Sequence, residues 1–444
     1  MTLIFAGTLT AADHKGHIPL SFDVPPGTGR LSGRFHATPV RAQGAFFDNL
    51  ISLSVFGPDG ARGARHNNRQ MDFSIGPDVA SPGYVPGPIE PGCWTVFMDT
   101  FRILGPDPVQ YRLEIDYEAT TASAAMIHLP TTALRGPGWY RGDLHAHSLH
   151  SDGSWDVPDL VAWARRRGLD FMTMTDHNTV SSHPLAKSLA GDDLLVMGGL
   201  ELTTHQGHAL SLGGPDWHEW RSGPVTGKLM SQLADEITAS GALFIIAHPM
   251  SPGDPACTGC RWDYADMRPG PARIVEVWNG GPWSDYNETG LALYRHWLSI
   301  GHRLMISAGS DIHGPESDNA PCGFNHVEAH NLTEPAILSA IAQGRNYLSC
   351  GPKLILTGLD DHGATVRMGD QVSRLTKARI VWATDDTALS LNVVGLAGPV
   401  KVIDLAPSAM GEFTLTDLPQ RFVQAEMRDA TGRLHAVTNP IFVG

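Results

Sequence analysis

Short apolar runs alternate with helical segments between residues 135 and 350, and this alternation restricts the fold more than any other feature of the chain. The strand candidates are 142–147, 171–176, 194–203, 208–212, 243–248, 274–279 and 304–311. The helix candidates are 157–167, 227–240, 288–300 and 334–344, and a glycine closes each of them, as a left-handed C-cap favours. The pattern predicts an α/β protein with a mostly parallel sheet, and its seven strand candidates could close into a barrel.

The regions on either side of this segment have the two-residue period of half-buried strands. Ile18, Leu20 and Phe22 alternate with polar or small residues, and glycine- and proline-rich turns separate the runs. We therefore predict three domains: a β-sandwich-like N-terminal domain over residues 1–125, the barrel over 135–353, and a small β domain over 354–444.

The composition excludes several classes of function. The formal net charge is −14 and charged residues make up 18% of the chain, with no basic run beyond Arg165, Arg166 and Arg167. A nucleic-acid-binding surface is therefore not expected, whereas acidic small substrates remain open because one local cationic cluster outweighs the global charge. No apolar stretch approaches the ~20 residues of a membrane span.

Five cysteines and the character of the N-terminus favour a cytoplasmic protein. The N-terminal apolar residues are few and lack a preceding positive region, so we interpret them as a first strand rather than a signal peptide. An odd, sparse cysteine count suits a reducing compartment better than a disulfide framework. Cys257 and Cys260 have the C-x-x-C spacing, which fits half a zinc site, a redox pair or ordinary loop packing, and we favour loop structure.

Histidines and acids gather at the carboxyl ends of the predicted central strands. The nine candidate ligands are His145, His147, Asp152, His177, Glu201, His208, His248, Asp311 and His313. Strand ends of a parallel barrel converge on one face, so residues far apart in sequence can share one pocket. Imidazole and carboxylate together suit zinc, manganese or iron, and nine ligands are enough for two or three divalent ions.

Such a cluster predicts hydrolytic chemistry. Divalent ions lower the pKa of a bound water from about 15.7 towards ~7, so a water that bridges two ions becomes a nucleophile at neutral pH. The remaining coordination positions polarise the substrate and stabilise the leaving group. No covalent protein nucleophile is needed. Any one of the six histidines alone would be more simply interpreted as a hydrogen-bonded core or surface residue, but that interpretation does not explain nine candidate ligands at successive strand ends.

The motifs resemble those of the polymerase-and-histidinol-phosphatase (PHP) superfamily. Residues 142–153 (GDLHAHSLHSDG) look like its first motif, and 175–177 (TDH) like its second. The later motifs match in order at 199–201 (GLE) with 207–208 (GH), then 248–249 (HP), then 310–313 (SDIH). Within the superfamily, 275–280 (VEVWNG) and 438–441 (TNPI) are most similar to the CehA/McbA branch of metallohydrolases.

The resemblance implies a distorted (β/α)7 barrel with a di- or trinuclear centre. It assigns His145, His147, Glu201 and Asp311 to a first ion. It assigns His208, His248 and the bridging Glu201 to a second ion, and Asp152, His177 and His313 to a third. Asp176 has no ligand role in this scheme, so we expect its carboxylate to orient a ligand imidazole.

Loop aromatics and arginines give the weakest indication of the substrate. We name Asn279, Trp262 and Arg141 as candidate substrate contacts. Trp217, Trp220 and Trp283 fall in loops that we expect on the same side, and Glu276 either lines the pocket or is a structural carboxylate.

Three functions remain open from the sequence. The first is a phosphoesterase that acts on a small organic or nucleotide-like substrate, the commonest activity that the resemblance implies. The second is a hydrolase of carbamate, carboxylic ester or amide bonds in an aromatic small molecule, as the CehA/McbA likeness implies. The third is a non-catalytic binding module that uses the β domains. The expected partner is a small molecule, and a homo-oligomer is left open.

Overall fold

The computed structural model describes residues 2–66, 70–119, 135–214, 217–281, 283–315 and 321–444. Over these residues the protein is a mixed α/β molecule rich in strands, and the α/β class agrees with the prediction. Among the helices of the described segments, none is both long and apolar enough to span a membrane. The predicted boundary between residues 125 and 135 lies outside the described residues.

Two four-stranded sheets form the N-terminal region, which we call the N-terminal sandwich (residues 2–118). Its strands are β1 (Thr2–Leu9), β2 (Gly16–Val24), β3 (Arg30–Thr38), β4 (Leu50–Gly57), β5 (Gly60–Arg65), β6 (Phe73–Ile75), β7 (Gly92–Arg102) and β8 (Val109–Glu118), with one 3-10 turn at Ala11–Asp13. The sheets have the orders β1-β8-β3-β6 and β2-β7-β4-β5. Alternate side chains, among them Leu31, Val55 and Trp94, are fully buried in one core between the two sheets, which is the consequence of a two-residue period in half-buried strands.

The central region carries the predicted alternation of strands and helices. Its strands are β9 (Gly138–Asp143), β10 (Phe171–Met174), β11 (Leu195–Thr203), β12 (His208–Leu212), β13 (Leu243–Ile246), β14 (Ile274–Asn279), β15 (Met305–Gly309), β16 (Phe324–Ala329) and β17 (Asn346–Ser349). Its helices are α1 (Val157–Arg166), α2 (His183–Ser188), α3 (Met230–Ala239), α4 (Asp285–Ser299) and α5 (Glu334–Ala342). The sequence pattern missed α2 because six residues are too few to show a helical period.

The central sheet has the order β15-β14-β13-β12-β11-β10-β9, in which neighbours are hydrogen-bonded. β9, β10 and β11 are parallel, as are β13, β14 and β15, but β12 is antiparallel to both of its neighbours. This departure from a mostly parallel sheet arises because a short hairpin, not a helix, connects β11 to β12. Beyond the strand ends, a parallel bridge pairs Ala146 with Ile312, so the first and last strands of this series meet.

Helix boundaries follow from local chemistry. The Asp156 side chain accepts a hydrogen bond from the Val157 amide at the start of α1, and Thr333 caps α5 in the same way through the amide of Ala336. Gly168 and Gly344 follow the two helices with φ values of 65° and 71°, a conformation that glycine adopts without strain.

The C-terminal strands continue the central sheet rather than forming a separate layer. They are β18 (Lys353–Asp360), β19 (Thr365–Arg367), β20 (Gln371–Val372), β21 (Leu375–Ala383), β22 (Leu389–Gly395), β23 (Gly398–Leu405), β24 (Met410–Leu415), β25 (Phe422–Arg428), β26 (Leu434–Thr438) and β27 (Ile441–Val443). β26 pairs antiparallel with β17, so one sheet runs from the central region through β16 and β17 into β26, β25, β22 and β23. A second, four-stranded sheet of order β19-β18-β21-β24 packs on it around a shared core that includes Leu356 and Val393.

Candidate metal centre

All nine candidate ligands lie within a strand of the central sheet or in the segment that follows one. They gather at the edge of the sheet formed by the carboxyl ends of β9, β10, β13 and β15. His145 and His147 follow β9, and His177 follows β10. Glu201 lies within β11, and His208 opens β12 across the hairpin. His248, Asp311 and His313 come after the ends of β13 and β15. The structure thus brings together side chains that are up to 168 positions apart in sequence, from His145 to His313.

Glu201 is the middle of the cluster. Its Oε1 lies 3.0 Å from His208 Nδ1 and 3.0 Å from His248 Nε2. Its Oε2 lies 2.9 Å from a ring nitrogen of His177, 3.2 Å from His145 Nε2 and 3.3 Å from His147 Nε2. Five imidazoles therefore surround one carboxylate that is 1% exposed, an arrangement suited to a bridging ligand.

A second carboxylate, that of Asp152, lies between two imidazoles at the outer edge of the cluster. Asp152 Oδ1 lies 3.4 Å from His177 Nε2 and 3.3 Å from His313 Nε2. The ligand atoms of these three residues and of His147 all lie within 4.8 Å of one another. Asp152 and His313 are each about one-third exposed, so this edge of the cluster faces solvent.

Asp311 completes the inner part of the cluster. Its Oδ1 lies 3.0 Å from His147 Nε2 and 3.5 Å from His145 Nε2. Both imidazoles also contact Glu201. The groups of mutually close ligand atoms cut across the three ligand sets that the resemblance implies, since His147 lies with Asp152 and His313, and His177 also lies with Glu201 and His208.

Glu276 is a contact that sequence reasoning left undecided. Its Oε1 lies 3.0 Å from His145 Nδ1, and its Oε2 accepts a hydrogen bond from the His248 amide at 3.0 Å. Asn279 donates its side-chain amide to the same Oε2 at 3.1 Å. The carboxylate thus holds the Nδ1 edge of His145 and leaves Nε2 to face Glu201 and Asp311. Asn279, which we predicted as a substrate contact, instead supports Glu276 and is buried.

The loop after β13 orients His248. The Nδ1 of this ring lies 3.2 Å from the carbonyl oxygen of Cys260, which sets Nε2 towards Glu201. Cys260 and Cys257 are joined by a disulfide, so the C-x-x-C pair is a covalent element of the loop and not half a zinc site. The sequence favoured loop structure for this pair without predicting the bond.

Asp176 does not orient an imidazole. Its carboxylate accepts hydrogen bonds from the hydroxyls of Ser148, Ser151 and Ser182 and from the Ser148 amide, at 2.6–3.0 Å. Its role is to fix the turn that carries Asp152. Sequence spacing alone could not distinguish serine partners from histidine partners, because both lie within a few residues of the strand end.

Two of the three predicted substrate contacts lie elsewhere. Trp262 is buried, donates its indole N–H to the Met267 carbonyl at 2.8 Å, and packs in the core beside Tyr264. Arg141 donates to the Arg167 carbonyl at 2.6 Å and stacks over the Phe324 ring. It lies four residues before His145, about 13 Å back along the strand direction, near the end of α1. These contacts hold both side chains against residues that are not candidate ligands.

The other tryptophans are divided between surface and core. Trp217 donates its indole N–H to the carbonyl of Asn178, next to His177, and so lies near the cluster. Trp220 is fully buried in the core. Trp283 is 40% exposed and donates to the Leu434 carbonyl in β26. These three tryptophans therefore do not together surround the cluster.

Burial and neighbouring charges shift the pKa values of the carboxylates and imidazoles in the cluster. Burial alone would raise the pKa values of Asp152, Glu201 and Asp311, but the surrounding imidazoles outweigh it and hold all three well below their usual range. Burial lowers the pKa of His147 to about 4, helped by its neighbours His313 and His177. The cluster thus offers three ionised carboxylates and at least one neutral imidazole.

The backbone under the cluster is strained and tightly fitted. Asn178, His248 and Asp311 are non-glycine residues with φ values of 56°, 24° and 50°. Such conformations cost of order 1–3 kcal/mol each and concentrate at functional sites. A Cβ at Gly309 would lie 2.2 Å from the His145 Cβ and 2.4 Å from Glu276 Oε1, so only glycine lets β15 approach this closely.

Orphaned polar atoms test whether metal ions fit the cluster. His145 Nε2, both ring nitrogens of His147, His208 Nε2 and Glu201 Oε2 are buried and lack a hydrogen bond of acceptable geometry among the described residues. Each such atom costs about 1–3 kcal/mol if it stays unpaired. Other buried polar atoms of the described residues also lack a partner, but these five belong to one imidazole and carboxylate cluster, and divalent cations fit this donor set.

Comparisons with known proteins give structural likeness only. Neither a family model nor a curated protein matches the chain. A two-domain protein from Bacteroides vulgatus, described as containing a predicted PHP-like metal-dependent phosphoesterase, is 18% identical and has a TM-score of 0.40, over 72% of this chain and 100% of that one.

Two further solved structures match a smaller part. A putative metal-dependent phosphoesterase from Bifidobacterium adolescentis is 18% identical over 39% of this chain and 87% of its own, with a TM-score of 0.27. An amidohydrolase from Chromobacterium violaceum, with sulfate and no metal, is 18% identical over 40% and 89%, with a TM-score of 0.29. Because these likenesses are weak, the chemistry of the centre rests on its own side chains.

Proposed function

We propose that this protein is a metal-dependent hydrolase of the PHP type, most similar to the CehA/McbA branch, that cleaves phosphoesters of small organic or nucleotide-like substrates. The observation that carries the proposal is the set of orphaned imidazole and carboxylate atoms around Glu201. The bridge between Ala146 and Ile312 supports a distorted (β/α)7 barrel as the scaffold. We propose the flanking regions, 1–125 and 354–444, as β domains that share packing with the central region, and we propose a cytoplasmic location.

The residues that would hold the ions form three sets. His145, His147, Glu201 and Asp311 would hold the first ion, and Glu201, His208 and His248 the second. Asp152, His177 and His313 would hold the third. When bound, these ions would supply Lewis acidity to the substrate and lower the pKa of a water in the site.

The protein's own groups would prepare the site for that chemistry. Glu276 Oε1 holds His145 Nδ1 and the Cys260 carbonyl holds His248 Nδ1, so both rings present Nε2 to Glu201. Preset tautomers reduce the reorganisation needed when charge develops. The part-exposed edge at Asp152 and His313 is where a substrate would approach.

The third set supports phosphoesters over carbamates. Three ions can engage several oxygens of a phosphoryl group, whereas carbamate or ester cleavage needs only two. The inward position of Trp262 also removes one aromatic contact that would hold a ring-bearing carbamate. We therefore treat hydrolysis of carbamate, ester or amide bonds as an outcome of the test.

The test is direct. Protein stripped with a chelator and reloaded with Mn²⁺ or Zn²⁺ is offered 4-nitrophenyl phosphate, bis(4-nitrophenyl) phosphate and 1-naphthyl N-methylcarbamate. We expect metal-dependent release from a phosphoester. Product release from the carbamate alone would replace the phosphoesterase assignment with a carbamate hydrolase. No product from any of the three substrates at full metal content would favour a binding module.

A further inference from the structure

One histidine of the N-terminal sandwich lies against the candidate metal centre. His66 directly follows β5, and its ring centroid lies 4.8 Å from that of His177. No motif marks this residue in the sequence, because it belongs to a region with no other member of the cluster. The sandwich therefore contributes a polar side chain to the edge of the site.

The position of His66 is fixed from several directions. Its Nδ1 lies 2.9 Å from the Ser52 hydroxyl on β4, and its ring packs edge-on against Phe101 of β7 at 4.6 Å. The sandwich is also tied to the loop after His177, since the Thr179 hydroxyl donates to the Gly83 carbonyl at 2.6 Å. A ring anchored in this way is a preset contact rather than a mobile surface group.

His66 is outside the groups of mutually close ligand atoms. The groups whose ligand atoms lie within 4.8 Å of one another include His177, Asp152 and His313 but not His66. Ser52 occupies Nδ1, and within the described residues that is the hydrogen bond made by the ring, which leaves Nε2 for a further partner. The His66 ring lies beside that of His177, a member of the set whose edge is part-exposed, so a substrate at that edge would lie next to His66.

We propose that His66 is a substrate-contacting residue that forms a hydrogen bond through Nε2 to an oxygen of the scissile group. In the tautomer in which the Ser52 hydroxyl donates to Nδ1, Nε2 carries the ring hydrogen and donates to that oxygen. This inference rests on the proposed function and extends it, because it makes the N-terminal sandwich part of the substrate site. Hydrogen bonds to charged groups are among the stronger ones, so its loss lowers binding or turnover measurably.

The experiment compares His66→Ala and His66→Gln with His36→Gln, a matched control at an exposed position of the same sandwich. Circular dichroism checks folding, and elemental analysis gives the metal content of each reloaded protein. We expect unchanged metal content in all three. We expect a fall of about tenfold or more in kcat/KM for His66→Ala on the preferred phosphoester, a smaller fall for His66→Gln, and none for His36→Gln.

Binding of inorganic phosphate, measured by titration calorimetry, gives a second readout that needs no turnover. We expect His66→Ala to weaken phosphate binding by a similar factor. If the wild type turns over no phosphoester yet His66→Ala weakens phosphate binding, the phosphoesterase assignment fails and the contact stands. Unchanged kcat/KM and phosphate affinity, loss of metal from His66→Ala, or a wild type that neither turns over nor binds phosphate would overturn the contact.

Discussion

At the scale of single residues, the proposed chemistry depends on Glu201. Five imidazoles lie within 3.3 Å of its two oxygens, and the carboxylate is almost completely buried. A buried charge of this kind persists only when it is paired or coordinates cations. A substitution of Glu201 is therefore expected to disturb the centre more than a substitution of any single histidine, because Glu201 contacts five of them.

Replacing Glu201 by glutamine tests this role. The amide keeps the shape but loses the charge and one acceptor oxygen, so we expect metal to be lost from the two sets that share it and phosphoester hydrolysis to fall below detection. Elemental analysis of the reloaded protein gives the metal count. Glu236→Gln, on the exposed face of α3, is the control. Full metal content and activity in Glu201→Gln would refute the bridging role.

At the scale of elements, an ion-pair network docks the C-terminal strands onto α4. Glu426 of β25 lies 2.7 Å from Arg295 of α4 and 2.8 Å from Arg428. Arg428 in turn reaches Glu288 of α4 at 2.8 Å. Because Glu426 is 3% exposed, its pairs with Arg295 and Arg428 are shielded from the screening that weakens surface pairs, whereas Glu288 is the exposed end of the network. It fixes how the extended sheet meets the helix.

Glu426 gives the stability a predictable pH dependence. Burial works to raise its pKa, but Arg295 and Arg428 outweigh burial and the pKa is lowered from 4.5. The paired carboxylate therefore contributes stability above about pH 4.5, and this is lost as the pH falls through the lower folded value. We expect Glu426→Gln to cost about 2 kcal/mol at pH 7, since Arg295 is partly exposed, and less in acid.

Urea unfolding at pH 7 and at pH 4 measures the difference between the variant and the wild type. Glu412→Gln, which breaks an exposed pair with Arg379, is the matched control and should leave the midpoint almost unchanged. A cost of Glu426→Gln that stays constant or grows as the pH falls would contradict the assignment.

At the scale of the whole molecule, the three regions share packing. One core cluster contains Phe101 from the sandwich, Trp278 from the central sheet, and Phe422 and Leu434 from the C-terminal strands. Arg102 of the N-terminal sandwich also donates to the carbonyls of Pro255 and Ala256 in the central region, at 2.8 and 3.1 Å. Regions that share a core lose it together, so they are not expected to unfold as independent units.

We therefore expect one cooperative unfolding transition for the metal-free protein. Hydrogen exchange followed by mass spectrometry over a urea series resolves peptides from the sandwich, the central sheet and the C-terminal strands. Their midpoints should coincide with each other and with the far-ultraviolet circular dichroism transition. A sandwich that loses protection at clearly lower urea than the central strands would show that the shared core does not couple them.

The sequence by itself determined most of the central strands and helices, α2 excepted, and the order of the candidate ligands. The predicted helix 157–167 agrees with α1 to one residue, and 334–344 agrees with α5 to two, because capping residues and glycines are local signals. His145 and His147 converge with Asp311 and His313, as expected for strand ends of a closed barrel, and the bridge between Ala146 and Ile312 brings these two segments together.

Only the tertiary structure decided which groups hold those ligands. Asp176 binds serines, Glu276 holds His145, and Trp262 turns into the core, although the sequence favoured other roles or left them open. His66 comes from a separate β region altogether. The physical reason is that strand period fixes where a side chain starts, whereas its partner depends on packing between elements far apart in the chain, which no local pattern encodes.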